Sequence, residues 1–301
     1  MELNDPNSAC EGGGAPATPP RTTSRALWRR YFVIPFSAAL LVLTAVWIFA
    51  AGREDPSAEE SLATIQSGQP RARWRAAGAL ARALADPARV PHDPAFAAQL
   101  LTLFGNHALQ DVDQRIHLYL ALAMGRVADA TFYSPLLAAL HEATADSDEQ
   151  AVYIRALGLM QDPRAVPELL PLLGSDATVV RHETVQALGC IGDAKARAGL
   201  QAMLDDPEAN VQWDAAVALA KMGDPSGKVI LLKLLDRTYY EELPTVRGEG
   251  CNWAMEIALR TGAQLNDPEI NQRIRQIATS DPSVHLRGVA LEVVDAYKLE
   301  G

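Results

Sequence analysis

The chain repeats itself. The stretch VVRHETVQALGCIGD, ending at Asp193, returns as NVQWDAAVALAKMGD, ending at Asp224, 31 residues later. Val180 then matches Val211, Leu188 matches Leu219, Gly192 matches Gly223 and Asp193 matches Asp224. A unit this short cannot bury its own apolar face, so it must stack on copies of itself. Chains built this way offer surfaces for binding.

The unit is helical. Ala and Leu dominate its apolar positions, and both are strong helix formers. Sustained strand alternation is absent from the sequence. Nine Asp-Pro pairs punctuate the chain, and those at Asp86, Asp162, Asp206, Asp224, Asp267 and Asp281 fall at repeat joints. Asp caps the free amides of a helix start, and Pro in the first turn loses no hydrogen bond. Gly192 and Gly223 suit the ends of the preceding helices. Seven repeat centres follow: ARWRAAGALARALAD, QRIHLYLALAMGRVAD, EQAVYIRALGLMQD, the two stretches above, CNWAMEIALRTG and SVHLRGVALEVVDAY. An insertion, DRTYYEELPTVRGEG, separates the fifth from the sixth.

Four segments are expected: a disordered cytoplasmic tail at 1–30, a transmembrane helix at 31–51, a linker and first-repeat start at 52–70, and a repeat solenoid at 71–301. The tail is rich in Gly, Pro, Ser and Thr and has little to bury. Tyr31 to Ala51 carries no charge, and a helix of that length spans a ~30 Å hydrocarbon core. Arg21, Arg25, Arg29 and Arg30 precede it, which places the amino terminus in the cytoplasm and the body outside, periplasmic or extracytoplasmic. Residues 1–30 have a net charge of +1, so the remainder carries −11, the total of −10 less that +1. An acidic body argues against nucleic acid as the partner, because phosphate contacts need Lys and Arg.

With these residues in view, the chain resembles HEAT-repeat proteins of the PBS-lyase HEAT-like type. The repeat pattern is matched by Asp176, Val180, Arg181, Ala187, Leu188, Gly189, Ile191, Gly192 and Asp193. The resemblance implies an all-α, α-α superhelix and a protein-binding role. It also implies a repeat arginine, kept at Arg181 and Arg287; Gln212 replaces it, which predicts a break in any charged ladder. A di-iron hydroxylase of this fold, deoxyhypusine hydroxylase, carries several His-Glu metal pairs. Here only His182-Glu183 and His141-Glu142 occur, in different columns of the repeat, so no metal, cofactor or catalytic site is expected.

The function expected is a membrane-anchored scaffold or accessory subunit of a membrane complex. It would contact lipid through residues 31–51 and a partner protein through its repeats. The alternative is an enzyme of the bilin-lyase or di-iron hydroxylase type. The partner site expected joins a repeat column, Tyr153, His182 and Trp213, to the insertion and its neighbour, Tyr239, Tyr240 and Trp253. Large rigid rings dominate interface energies, and the chain is only 6% aromatic. The competing reading packs Tyr153 and Trp213 between repeats. Arg71, Arg73, Trp74 and Arg75 form a further basic motif, read either as a head-group contact or as a solvated helix face. Cys190 reads as a small buried hydrophobe.

Overall fold

The structure is a computed structural model and describes residues 56–106, 114–243 and 248–299. All regular elements among them are helical. We number the α-helices α1 (Ala58–Ser67), α2 (Pro70–Ala83), α3 (Pro94–Phe104), α4 (Gln114–Val127), α5 (Tyr133–Glu142), α6 (Asp148–Leu159) and α7 (Val166–Leu169). There follow α8 (Thr178–Ile191), α9 (Arg197–Ala202), α10 (Ala209–Lys221), α11 (Lys228–Leu234), α12 (Glu249–Gly262), α13 (Pro268–Ser280) and α14 (Val284–Tyr297). The seven repeat centres seen in the sequence are α2, α4, α6, α8, α10, α12 and α14. Each packs on the next, in one continuous row, and the intervening helices pack on this row. This is a HEAT-like solenoid. It begins at α1, which packs on α2, within the stretch read as linker and first-repeat start.

Small residues set how close the row comes. A Cβ on Gly125 of α4 would lie 2.5 Å from the Ala156 carbonyl oxygen of α6. One on Gly158 would lie 2.5 Å from Ala187 of α8, and one on Gly189 2.6 Å from Ala218 of α10. Only glycine lets the backbones approach this closely. Leucine and isoleucine fill the space behind: Ile116, Leu120, Ile154, Leu157, Leu188 and Leu219 are all fully buried.

The joints use the Asp chemistry expected, with one difference. Asp86, Asp162 and Asp224 accept from the amide two residues on, but each opens a single 3₁₀ turn before the α-helix. Asp93 and Asp267 cap α3 and α13 directly. Gly192 and Gly223 close their repeats at φ 68° and 71°. The equivalent residues Ala128 and Gln161 hold φ 55° and 53° without being glycine.

Two sequence expectations change, and the expected break at Gln212 is confined to the charged contact. Gln212 does not break the repeat's own bond: Arg181, Gln212 and Arg287 each donate to the carbonyl six residues earlier, at 3.0, 2.6 and 2.6 Å. An amide suffices for that contact. What Gln212 lacks is the second contact, the paired bonds of Arg181 to Asp206 at 2.8 and 3.1 Å. Cys190 is exposed, because it follows Gly189 around the helix, away from the crossing; Cys251 is the buried one, and both thiols are free. The membrane placement is also corrected. The span at 31–51 and the tail before it lie outside the described residues. Among the described residues no helix is long and apolar enough to cross a membrane. The longest have 14 residues, about 21 Å of helix, against a core of ~30 Å.

The close crossings give a paired expectation. Alanine is the better helix former by about 1 kcal/mol, so Gly288→Ala, with open space around it, should stabilise by ~0.5–1 kcal/mol. Gly158→Ala should instead destabilise by ~1–3 kcal/mol through overpacking. Urea denaturation of the two variants checks the pair, and equal effects would show that the crossing at Gly158 has room for a methyl group.

Candidate partner-binding site

The repeat places acid and donor residues in register. Arg155 and Gln186 are 31 residues apart, as are Glu183 and Asp214. On stacking, Arg155 of α6 reaches Glu183 of α8 with both arms of its guanidinium, Nε–Oε2 being 2.8 Å. Gln186 of α8 donates to Asp214 of α10 at 2.9 Å. His182 lies beside this line, its Nε2 2.9 Å from Asp214 and its Nδ1 3.9 Å from Glu183. The hydrogen bond to Asp214, then that to Glu183, raises the imidazole to about 9 against the opposing effect of burial. Burial works against ionisation of Glu183, yet hydrogen bonds from His182 and Arg155 hold its carboxyl below the usual range. His182 is therefore an imidazolium at neutral pH, held between two carboxylates.

The next residue along is Trp213, and here the insertion folds back. Asp236 opens a 3₁₀ segment, Arg237–Glu242, by accepting from the Thr238 amide. That turn brings Tyr239 and Tyr240 against Trp213, with ring centroids 6.1 and 6.3 Å away in edge-to-face geometry. The two tyrosines meet each other at 5.6 Å. The Trp213 indole donates to Tyr239 Oη at 3.2 Å. Tyr240 is buried and donates to the Leu234 carbonyl at 2.8 Å. Trp213 and Tyr239 stay half-exposed. Tyr239 also forms one wall of an open groove of about 820 Å³, with Lys228, Val229, Leu232, Lys233 and Glu269.

The six residues singled out in the sequence are thus not gathered at one point. Trp213, Tyr239 and Tyr240 form a cluster, and His182 adjoins it through Asp214. Trp253, the equivalent of Trp213 in the next repeat, is 67% exposed. Tyr153 is 1% exposed; it shares a 2.8 Å hydrogen bond with His117 Nδ1 and donates to Glu149 at 3.3 Å. His117 in turn stacks on Phe104 at 3.9 Å. The ladder partners Arg155 and Gln186 were missed in the sequence, although their spacing of 31 was the available signal. The two His-Glu pairs do not converge. His141 meets Glu168 at 3.2 Å on the surface, and no group of three or more His, Cys, Asp or Glu among the described residues is placed to hold a metal ion.

Comparison with known proteins agrees with this geometry at the level of the fold. A family model for HEAT repeats matches residues 133–209 and again 175–245. The similarity extends to a solved structure. A chain of the complex of CpcE and CpcF of phycocyanin lyase from Nostoc sp. PCC7120 superposes with a TM-score of 0.57 at 18% identity, over 82% of this chain and 90% of that one. No curated protein matches the sequence.

The histidine gives a pH expectation. Its folded-state pKa of about 9 lies above an unfolded value of about 6.5. Its contribution to stability is therefore complete below about 6.5 and is lost as pH rises towards 9. The melting temperature of the wild type should fall across that interval more than that of His182→Gln. Parallel profiles would show that the imidazolium does not hold the α8–α10 line.

Proposed function

We propose that the chain is a protein-binding scaffold or accessory subunit, and that its partner contacts the α8–α12 stretch. Trp253 carries the proposal. A tryptophan with 67% of its surface exposed contributes little to folding, whereas exposed Trp and Tyr are the side chains that most often dominate binding energy. Trp213 and Tyr239 extend the surface, with His182 adding positive charge. Tyr240 supports it from below, while Tyr153, buried in α6, lies outside it. The repeat architecture suits this role, because stacked repeats present a long face without needing a catalytic cleft.

A second reading rests on a specific observation. The similar chain belongs to a complex of phycocyanin lyase, which favours a bilin-lyase-type enzyme. At 18% identity that similarity reports the fold rather than the chemistry. Adding a bilin to the purified chain and recording its visible spectrum separates the two readings, since a lyase-type site would shift the absorbance at stoichiometric protein.

The scaffold reading makes its own demand. A photo-cross-linking residue at position 253 should capture one protein in stoichiometric yield from native cells, and one at Gln264 should not. Trp253→Ala should weaken that protein's binding by ~2 kcal/mol, about thirtyfold. Its melt should stay within ~0.5 kcal/mol of wild type, as for an ordinary surface change. Unchanged affinity for the captured protein would remove Trp253 from the interface.

A further inference from the structure

Helix α14 is the last row helix described, and its outer face is bare. Arg181, Gln212 and Arg287 make the same carbonyl contact in their repeats. The residues four places on, Val185, Ala216 and Leu291, are therefore equivalent. Val185 and Ala216 are fully buried within the row, whereas Leu291 is 56% exposed. Val284, two turns before it, is 74% exposed. Between them a Cβ on Gly288 would meet nothing within 4 Å. Val284, Gly288, Leu291 and Asp295 recur at helical spacing and form one stripe, opposite the buried Leu286, Val289, Ala290 and Val293. A row helix with such a stripe has a stacking face without its neighbour.

The stripe is complementary to itself. We propose that it is covered by α14 of a second copy of this chain, antiparallel about a two-fold axis level with Gly288 and Val289. Leu291 of one copy then drops between Val284 and Gly288 of the other, a knob into a hole. The charges fit the same operation. His285 and Glu292 lie on one flank of the stripe, seven residues apart, so each His285 comes level with the other copy's Glu292. His285 is bonded through Nε2 to Glu256 at 3.0 Å, which leaves its second ring nitrogen for that carboxylate. Glu292 is 70% exposed, and its contact with Arg260 is a long one of 3.5 Å.

Asp295 adds a direction. It is exposed in the last turn of α14, where the helix dipole disfavours an anion. The first turn of α14 holds no acidic residue, and there an anion is favoured. Antiparallel pairing carries each Asp295 to the other copy's helix start, whereas a parallel copy would set Asp295 against Asp295. One helix face of four turns falls below the ~1,200 Å² of a standard interface, so the dimer should be weak and reversible. The contact uses none of the residues of the aromatic surface on α10 and α12, and either can fail without the other.

Sedimentation equilibrium of the full chain over a wide range of concentration tests this. Wild type should show a reversible monomer–dimer equilibrium. Leu291→Gln removes the knob, and Gly288→Gln fills the hole with a good helix former. Each should weaken the dimer at least about tenfold, without lowering the melting temperature of the dilute, monomeric chain. Val229→Gln changes a residue 65% exposed on α11 and should leave the equilibrium within about twofold. If Leu291→Gln melts early, Gly288→Gln decides alone. A photo-cross-linking residue at position 291 should join the two copies through α14. A monomer at every concentration, a dimer as tight in Gly288→Gln as in wild type, equal loss in Val229→Gln, or a cross-link that lands outside α14 would each overturn the proposal.

Discussion

The backbone-to-backbone approach at Gly125, Gly158 and Gly189 is the constraint from which the rest follows. Each glycine faces an alanine of the next helix in the row, Ala156, Ala187 and Ala218. With no Cβ in the way, α4, α6, α8 and α10 lie close enough for their polar side chains to meet across the row. Arg155 then reaches Glu183, and Gln186 reaches Asp214. The ladder is a consequence of the crossing and not its cause, since exposed ion pairs contribute little on their own. Arg155 keeps half its side-chain surface exposed.

Where the glycine is lost, the pattern changes. Ala220 stands 31 residues after Gly189, and Arg260 takes the equivalent place in α12. The buried core divides at this helix: Ala215, Ala218 and Leu219 belong to one cluster, Ala216 and Ala220 to the next. The insertion enters at the same place. Its Tyr239 and Tyr240 fill the space beside Trp213, and its Arg237 takes the Asp281 carboxylate with two bonds of 2.7 and 3.2 Å. Among the described residues, this cluster of aromatic rings thus lies at an irregular joint, which is where a repeat protein has freedom to vary without disturbing its stack.

Much of the architecture was legible in the sequence. The period of 31, the Asp-Pro joints and the apolar helix faces place the seven row helices, because each is a local pattern repeated. The site was legible only in part. Trp213, Tyr239 and Tyr240 do meet, but Tyr153 is buried against His117 of α4, a partner that no local pattern announces, as well as Glu149 one turn back on its own helix. Burial depends on what the neighbouring repeat presents, and that is a tertiary fact. The ladder was missed for the opposite reason: its residues are ordinary surface types, and only their spacing marks them. Gln212 shows a further limit, since an apparent break in a motif preserved the bond that matters to its own repeat.

The close glycine–alanine crossings should bind α4, α6, α8 and α10 into one cooperative block, with α12–α14 forming a second. Native-state hydrogen exchange on the intact chain measures this directly, because it resolves opening free energies helix by helix. The amides of α4, α6, α8 and α10 should exchange slowest and share one opening free energy. Those of α12, α13 and α14 should exchange faster, as a separate group. Slowest exchange in α12–α14, or four different opening energies within the first block, would contradict it.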